Sequence, residues 1–367
     1  MRRTLSKISG LSDEWKEAQG LLTIGIDLGD RYSQCCVLDS QGNIIAEGKL
    51  SSTQGAFEKH FKDVKRIRIA LEAGANSRWV SELLSSFGHE VLVANPRNLH
   101  LISESVRKSD RVDARALARL ARVDPSLLSP LTHRKTATYP DMAQIRARHV
   151  LVRSRTSVVN AIRGMAKAAG LRLPVCSTET FAGKVSTLLP DDLKASLLPL
   201  LETIVTLNLQ IQRCDRAIYH LAKHKYPETN QLRQVSGVGV NTALEFVLTI
   251  ENPHRFQKSR QVGAYLGIQP KQRDSGERTP QLGITKAGNS SLRRLLIQCA
   301  HYLLGPFGKD CDLKRWGIQL AARGGKNAKK RAIVAVARKM AVLLHRLWVT
   351  GEKYEPFRQA QLVQVVA

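Results

Sequence analysis

Leu21-Leu22-Thr23-Ile24-Gly25-Ile26-Asp27 is a short apolar run that closes on a carboxylate, and Leu28-Gly29-Asp30 follows at once. A run of this length, bounded by a glycine turn, reads as a buried strand. Working outward, Tyr32 to Leu38 reads as a second strand, and Asp39-Ser40-Gln41-Gly42-Asn43 as the turn into a third, Ile44 to Leu50. Together they predict an antiparallel meander. Gln54 to Phe61 reads as a helix. Arg66 to Leu71 reads as a fourth strand, with Glu72 at its C-terminal end and Gly74 just beyond. The amphipathic stretch Ser77 to Phe87 stops at Gly88, and Glu90 to Ala94 is a fifth strand ended by Pro96. The order βββαβαβα predicts a mixed α/β layer architecture.

The last helix of that order opens on two carboxylates, in Lys108-Ser109-Asp110-Arg111-Val112-Asp113-Ala114. Ala114 to Ala121 are strong helix formers, so Asp110 and Asp113 share a face at i and i+3. Two like charges about 4 Å apart repel by roughly 4 kcal/mol at an effective dielectric near 20. Neighbouring arginines or a divalent metal would compensate. The plainer role for the pair is to favour a helix N-terminus. Asp27 alone reads as a strand-end turn residue and Glu72 alone as a solvated strand terminus. Taken in order, the four acids resemble the RNase H-like fold of the RuvC nuclease type, where a first-strand Asp, a fourth-strand Glu and late-helix aspartates converge. That resemblance implies Asp27, Glu72, Asp110 and Asp113 as catalytic metal ligands. Hard carboxylate oxygens suit Mg²⁺, and two ions about 3.5–4 Å apart can activate a nucleophile and stabilise a leaving oxygen. The opening strand also looks like that of actin-like sugar kinases, but those need a second glycine-rich phosphate loop that this sequence lacks.

Charge narrows the partner. The chain of 367 residues carries 57 Lys and Arg against 31 Asp and Glu, a net +26. Such an excess points to a polyanion, nucleic acid or an acidic membrane surface, and away from small-molecule metabolism. Residues 1–20 begin with Arg2 and Arg3 but hold no apolar core, so they read as a leader and not a signal peptide. No apolar run reaches the length of a membrane span. Cysteines 35, 36, 176, 214, 299 and 311 are scattered without CxxC spacing, as expected of reduced thiols in a cytoplasmic protein.

After the α/β domain (residues 21–140), residues 141–228 read as a helical connector. Between Asp141 and Glu179 there is no acid, while Arg146, Arg148, Arg153, Arg155, Arg163, Lys167 and Arg172 are basic. Ile145, Val152, Val159 and Ile162 recur near helical spacing. A second helix, Asp191 to Lys223, carries an apolar seam from Leu197 through Ile204 and Ile211 to Ile218. The two predict an antiparallel hairpin or coiled coil, serving oligomerisation or lying on a nucleic-acid backbone.

Residues 229–350 form the third region, and 351–367 a tail. Val235-Ser236-Gly237-Val238-Gly239 resembles a helix-hairpin-helix turn, in which Gly237 and Gly239 would let backbone N–H groups approach a phosphate; a tight interhelical turn explains it equally well. A polar loop, Lys271 to Pro280, holds Arg273, Ser275, Gly276 and Arg278. Beyond it, Leu282-Gly283-Ile284-Thr285-Lys286-Ala287-Gly288-Asn289-Ser290-Ser291-Leu292-Arg293-Arg294 is a glycine-rich turn entering a basic helix. Arg323 to Lys339, with Lys329, Lys330 and Arg331, has no acid and reads as a helix with a phosphate-contacting face.

With the N-terminal acids, the Val-Ser-Gly-Val-Gly turn and the stretch from Leu282 look like the DEDD transposases of the insertion-sequence one-ten family, relatives of the Piv DNA invertase. The resemblance covers nearly the whole chain. It implies a RuvC-like domain, a coiled-coil connector and a mostly helical transposase domain with a serine nucleophile, acting on donor and target DNA under a structured bridge RNA. By motif that serine is Ser275. Ser290-Ser291 is a competing hydroxyl pair, and Ser290 is expected to cap its helix. Nucleic-acid contacts are expected at Arg146, Arg153, Arg163, Gly237, Gly239, Arg273, Lys286, Arg293, Lys329, Lys330 and Arg331. Acids and serine in different domains imply a site shared between protomers, hence a homo-oligomer. Two other readings of the same residues are a metal-only structure-specific nuclease, such as a Holliday-junction resolvase, and a non-enzymatic nucleic-acid scaffold.

Overall fold

Small residues on one face of a sheet decide how the first third of the chain is layered. The computed structural model describes residues 10–18, 20–97, 109–273, 275, 280 and 282–358. Half of the leader, Lys108, Asp274, Gly276, Arg278 and the end of the tail therefore lie outside the described residues. The chain divides into two units, residues 1–133 and 134–367.

In the first unit the elements are β1 (Thr23–Asp27), β2 (Tyr32–Leu38), β3 (Ile44–Ser51), α1 (Gln54–Phe61), β4 (Arg68–Glu72), α2 (Ser77–Ser86), β5 (Glu90–Ala94) and α3 (Asp110–Val123). They follow the order read from the sequence, except that β4 starts two residues later than expected and includes Glu72. The sheet runs β3-β2-β1-β4-β5. The first three strands are antiparallel, and β4 and β5 run parallel to β1.

Strand alternation sorts the side chains into two layers. Ile24, Ile26, Cys35, Val37, Ile69 and Leu71 pack with Phe57, Phe61, Val80 and Leu84 of α1 and α2. On the other face Ala70 and Ala94 meet Leu117 and Ala121 of α3, and Cys36 and Leu38 meet Ala114 and Ala118. The approach is close because Gly25 has no side chain: a Cβ there would stand 2.0 Å from the Ala114 carbonyl oxygen and 2.5 Å from the Ala118 nitrogen. Ser109 caps α3, its hydroxyl accepting from Val112 N–H.

The second unit opens with two long helices, α4 (Tyr139–Ala168) and α6 (Asp191–His224), with the short α5 (Phe181–Ser186) between them. The expected hairpin is antiparallel, since Arg148 pairs with Asp215 at 2.5 Å and Arg155 donates to Asn208 at 2.7 Å. Its seam is the predicted one, with Leu197, Leu201, Ile204, Ile211 and Ile218 buried. The rest is helical: α7 (Glu228–Leu232), α8 (Val240–Ile250), α9 (Gln261–Tyr265), α10 (Ser290–Leu304), α11 (Asp312–Ala322) and α12 (Ala328–Thr350). Phe246, Leu266, Leu296, Met340 and Leu344 are among the residues of their common core. The acid-free stretch from Arg323 does not start as helix; Gly324 and Gly325 take positive φ, and α12 begins at Ala328. All six cysteines are free. Among the described residues no helix is long and apolar enough to cross a membrane.

Candidate active-site residues

Alternation along β1 puts Asp27 on the same face as Gly25, and along β4 puts Glu72 on the same face as Ala70. That is the face α3 covers. The pairing Ile26↔Leu71 sets Asp27 beside Glu72, at the C-terminal ends of neighbouring parallel strands. Helix α3 runs the opposite way, for Arg68 at the start of β4 donates to the Ala121 carbonyl at 3.2 Å. Four strand steps from Arg68 to Glu72 cover about 13 Å, equal to about nine helical residues. Counting back nine from Ala121 reaches Val112, next to Asp113. Thus Asp27, Glu72 and Asp113, all half-buried, share one end of this layer, with Asp110 exposed in the same first turn of α3.

These carboxylates offer only hard oxygens, the kind of donor that suits Mg²⁺. Among the described residues no group of three or more His, Cys, Asp or Glu stands ready-made to hold a metal ion. That is compatible with Mg²⁺, which uses one or two carboxylates together with waters and substrate phosphates rather than an all-protein cage.

Sequence reasoning missed a fifth carboxylate. Glu47 of β3 takes Arg111 at 2.8 Å and Arg115 at 2.7 Å, with a second, closer contact from each. The Arg115 hydrogen bond, then that of Arg111, pulls the Glu47 carboxyl down to about 2. Arginines that could have balanced the aspartate pair are instead spent anchoring the first turns of α3 to the sheet. The turns after the acid-bearing strands are tied together as well. Asn76 donates to the Gly29 carbonyl at 3.1 Å, and Ser52 donates to the same oxygen at 2.9 Å. Ser77 closes the turn after Glu72 on Gly74 and meets His133 at 3.1 Å.

In the second unit, Ser275 is exposed. The described residues on either side of it pair as the base of a hairpin: Pro270 bridges Ile284, Lys271 N–H donates to Gly283 at 2.9 Å and Thr285 N–H to Gln269 at 3.0 Å. An open depression of about 550 Å³ beside it is lined by Lys271, Gln272, Arg273, Leu282, Gly283, Ile284 and Lys286, three of them cationic. The base of the hairpin is tight. Gly267 and Gly288 both have positive φ, and a Cβ on either would stand 2.1 Å from backbone of the opposite side, Ala287 N and Tyr265 O respectively.

The residues expected on phosphate divide in two. Arg146, Arg153, Gly239, Arg273, Lys286, Lys329, Lys330 and Arg331 are exposed. Others have internal work. Arg163 donates to the Pro174 carbonyl at 2.9 Å and lies over the Phe181 ring. Arg293 donates to the Leu266 and Ala287 carbonyls at 3.0 and 2.6 Å, closing the hairpin base. Gly237 serves packing, because a Cβ there would stand 3.0 Å from the Cys299 carbonyl. The expected cap at Ser290 is also corrected: Asn289 accepts from the N–H groups of Ser291 and Leu292, and Ser290 is exposed in the first turn.

Comparison with known proteins gives matches across both units. Residues 24–169, which hold all four acids, match a family described as transposase, of the DEDD type of IS110. Residues 229–308, which hold Ser275, match the transposase IS116/IS110/IS902 family. The transposase for insertion sequence element IS1111A of Coxiella burnetii is 28% identical over 358 residues, 95% of each chain. Two Sinorhizobium fredii relatives are the putative transposase y4pF/y4sB, 29% identical over 93% of this chain and 87% of its own, and the putative transposase y4rJ, 30% identical over 74% of both.

Proposed function

Because the chain belongs to the IS110 family of transposases, and so acts on DNA, we propose that it recombines its insertion element through a serine nucleophile and a divalent-metal carboxylate site on an RNase H-like domain of RuvC type. The observation that carries this reading is the shared end of one sheet layer occupied by Asp27, Glu72 and Asp113, with Asp110 in the same helical turn. Asp27, Glu72, Asp110 and Asp113 would hold the metal, and the hardness of their oxygens suits Mg²⁺. When bound, the metal supplies positive charge for the oxygen that leaves the phosphodiester.

Ser275 attacks a DNA phosphorus through Oγ. An Oγ–P bond forms, one deoxyribose oxygen leaves and takes a proton, and the serine proton passes to a base. The phosphoserine ester keeps the energy of the broken bond, so a second strand can displace the serine and restore a phosphodiester. Arg273, Lys271 and Lys286 are the cations nearest in the hairpin to steady the phosphate. The exposed Arg146, Arg153, Lys329, Lys330 and Arg331 bind nucleic-acid backbone, including a structured bridge RNA that selects donor and target. The working particle is a cytoplasmic homo-oligomer.

The test uses cells carrying the whole insertion element on a plasmid, which supplies any RNA the element encodes. Protein recovered under denaturing conditions should carry a nucleotide on the peptide containing Ser275. Ser275→Ala should abolish both adduct and recombination, and Asp110→Ala with Asp113→Ala should do the same while nucleic-acid binding survives. An adduct at Ser290 or Ser291 would reassign the nucleophile. Cleavage without any adduct would favour the metal-only nuclease, and full recombination by the double aspartate variant would remove the metal site.

A further inference from the structure

Beneath the base of the serine hairpin lies a partly buried polar cluster that the reaction above does not use. Glu245 of α8 is 1% exposed. Its Oε1 accepts from Asn289 Nδ2 at 3.3 Å, and its Oε2 from the Ser291 hydroxyl at 3.3 Å. Asn289 also donates to Thr249 Oγ1 at 3.0 Å. The Ser291 hydroxyl stands 2.7 Å from His149 Nδ1 of α4, and the other nitrogen of that ring is 3.7 Å from Glu245. The cluster therefore joins α4, α8 and the start of α10.

A cap for α10 alone does not call for such an arrangement. The side-chain Oδ1 of Asn289 already caps the helix, by accepting from Ser291 and Leu292 N–H. Its amide nitrogen is turned the other way, into the carboxylate. Asn289 follows directly on Gly288, whose backbone closes against Tyr265, and Lys286 N–H donates to the Gly267 carbonyl at 3.1 Å. Wherever Glu245 holds Asn289, it also holds the returning strand of the hairpin. Burying a carboxylate is costly, and here the cost is incurred at the junction between core and hairpin.

We propose that Glu245 and Asn289, supported by Ser291 and His149, are positioning residues for the Ser275 hairpin, fixing its base so that the serine hydroxyl is presented in one geometry. This rests on the reading of Ser275 as nucleophile, and misplacing a reacting group by about 1 Å costs on the order of 100-fold in rate.

Asn289→Asp separates positioning from capping. Aspartate caps a helix as well as asparagine, but it offers Glu245 a second carboxylate in place of an amide donor. In cells carrying the whole element, Asn289→Asp should lower the Ser275 adduct at least about 10-fold, with DNA binding and melting behaviour retained. Adding Glu245→Gln puts an amide donor opposite the introduced carboxylate, so the double variant should regain most of the adduct. Wild-type adduct in Asn289→Asp, or a double variant no better than the single, overturns the proposal. Hydrogen exchange of residues 282–288 in the full-length protein reads the same outcome without chemistry. It should quicken in Asn289→Asp and slow again in the double variant, and unchanged exchange overturns the proposal. If wild type forms no Ser275 adduct, the nucleophile assignment fails while exchange still decides the positioning role.

Discussion

Two carboxylates, the half-buried Glu47 and the buried Glu245, meet opposite fates in this chain. Glu47 lies between two guanidinium groups and stays ionised down to about 2. Glu245 is pushed up to about 6 by burial, an effect only partly offset by hydrogen bonds from Ser291 and Asn289 and by the charges of Arg134 and Arg294. His149, facing it from α4, is lowered by burial and by Arg148, Arg294 and Arg153, and so is neutral at pH 7. Glu245 therefore has a consequence for stability. A carboxyl whose folded value lies above its ordinary 4.5 favours the folded state fully below pH 4.5, and that contribution is lost as pH rises through about 6. The difference between those values corresponds to about 2 kcal/mol. Glu245→Gln removes the titration and leaves His149 in place. The variant should gain up to about 2 kcal/mol over wild type at pH 8 and nothing at pH 4. Urea unfolding of both proteins at the two pH values measures this, and a gain of equal size at both would show that Glu245 does not titrate in this range.

At the scale of elements, the contact of α3 with β1 governs where Asp110 and Asp113 stand. Because a Cβ at Gly25 would meet backbone atoms, which no rotamer change can move aside, Gly25→Ala has to lift the helix. Overpacking of this kind costs about 1–3 kcal/mol, so amide exchange along α3 should accelerate by up to about 100-fold. Gly55→Ala in α1 is the control. Nothing lies within 4 Å of its Cβ position, and the substitution should be neutral or slightly stabilising. If both variants behave alike, the close approach of helix and strand is wrong. The strands and Asp27 and Glu72 were legible because their local patterns are regular: apolar runs, turn residues, a carboxylate at each strand end. The Glu47 anchor was not, since a glutamate at an alternate strand position looks like any solvated residue until the partner helix is placed. The Glu245 cluster was hidden for the same reason, as its members lie 142 and 46 residues from Ser291 along the chain. Asn289 is not legible as a cap in the sequence, because Ser290 beside it is as good a capping residue in isolation.

Over the whole molecule, the net charge of +26 has two destinations. Some cations hold the fold: Arg148 on Asp215, the buried Arg155 on Asn208, Arg163 on carbonyls of the following loop. Others are exposed, among them Lys329, Lys330 and Arg331 in the first turn of α12, a turn without an acid. Cations at a helix N-terminus oppose its dipole at a cost of about 0.3–1 kcal/mol each, so local stability does not account for them. Contact with phosphate would. Each phosphate neutralised adds about 0.9 to the slope of log K against log salt for duplex DNA. Replacing Lys329, Lys330 and Arg331 together by Gln should therefore lower the slope by about 2 to 3 on a duplex of arbitrary sequence, weakening all sequences alike. Arg155→Gln should leave the slope untouched and instead lower the melting temperature, since its guanidinium is buried between α4 and α6. Binding measured across a sodium chloride titration distinguishes the two classes. An unchanged slope in the triple variant would mean that the α12 cations do not touch the backbone, and a reduced slope in Arg155→Gln would mean that the inward arginines are not spent on the fold alone.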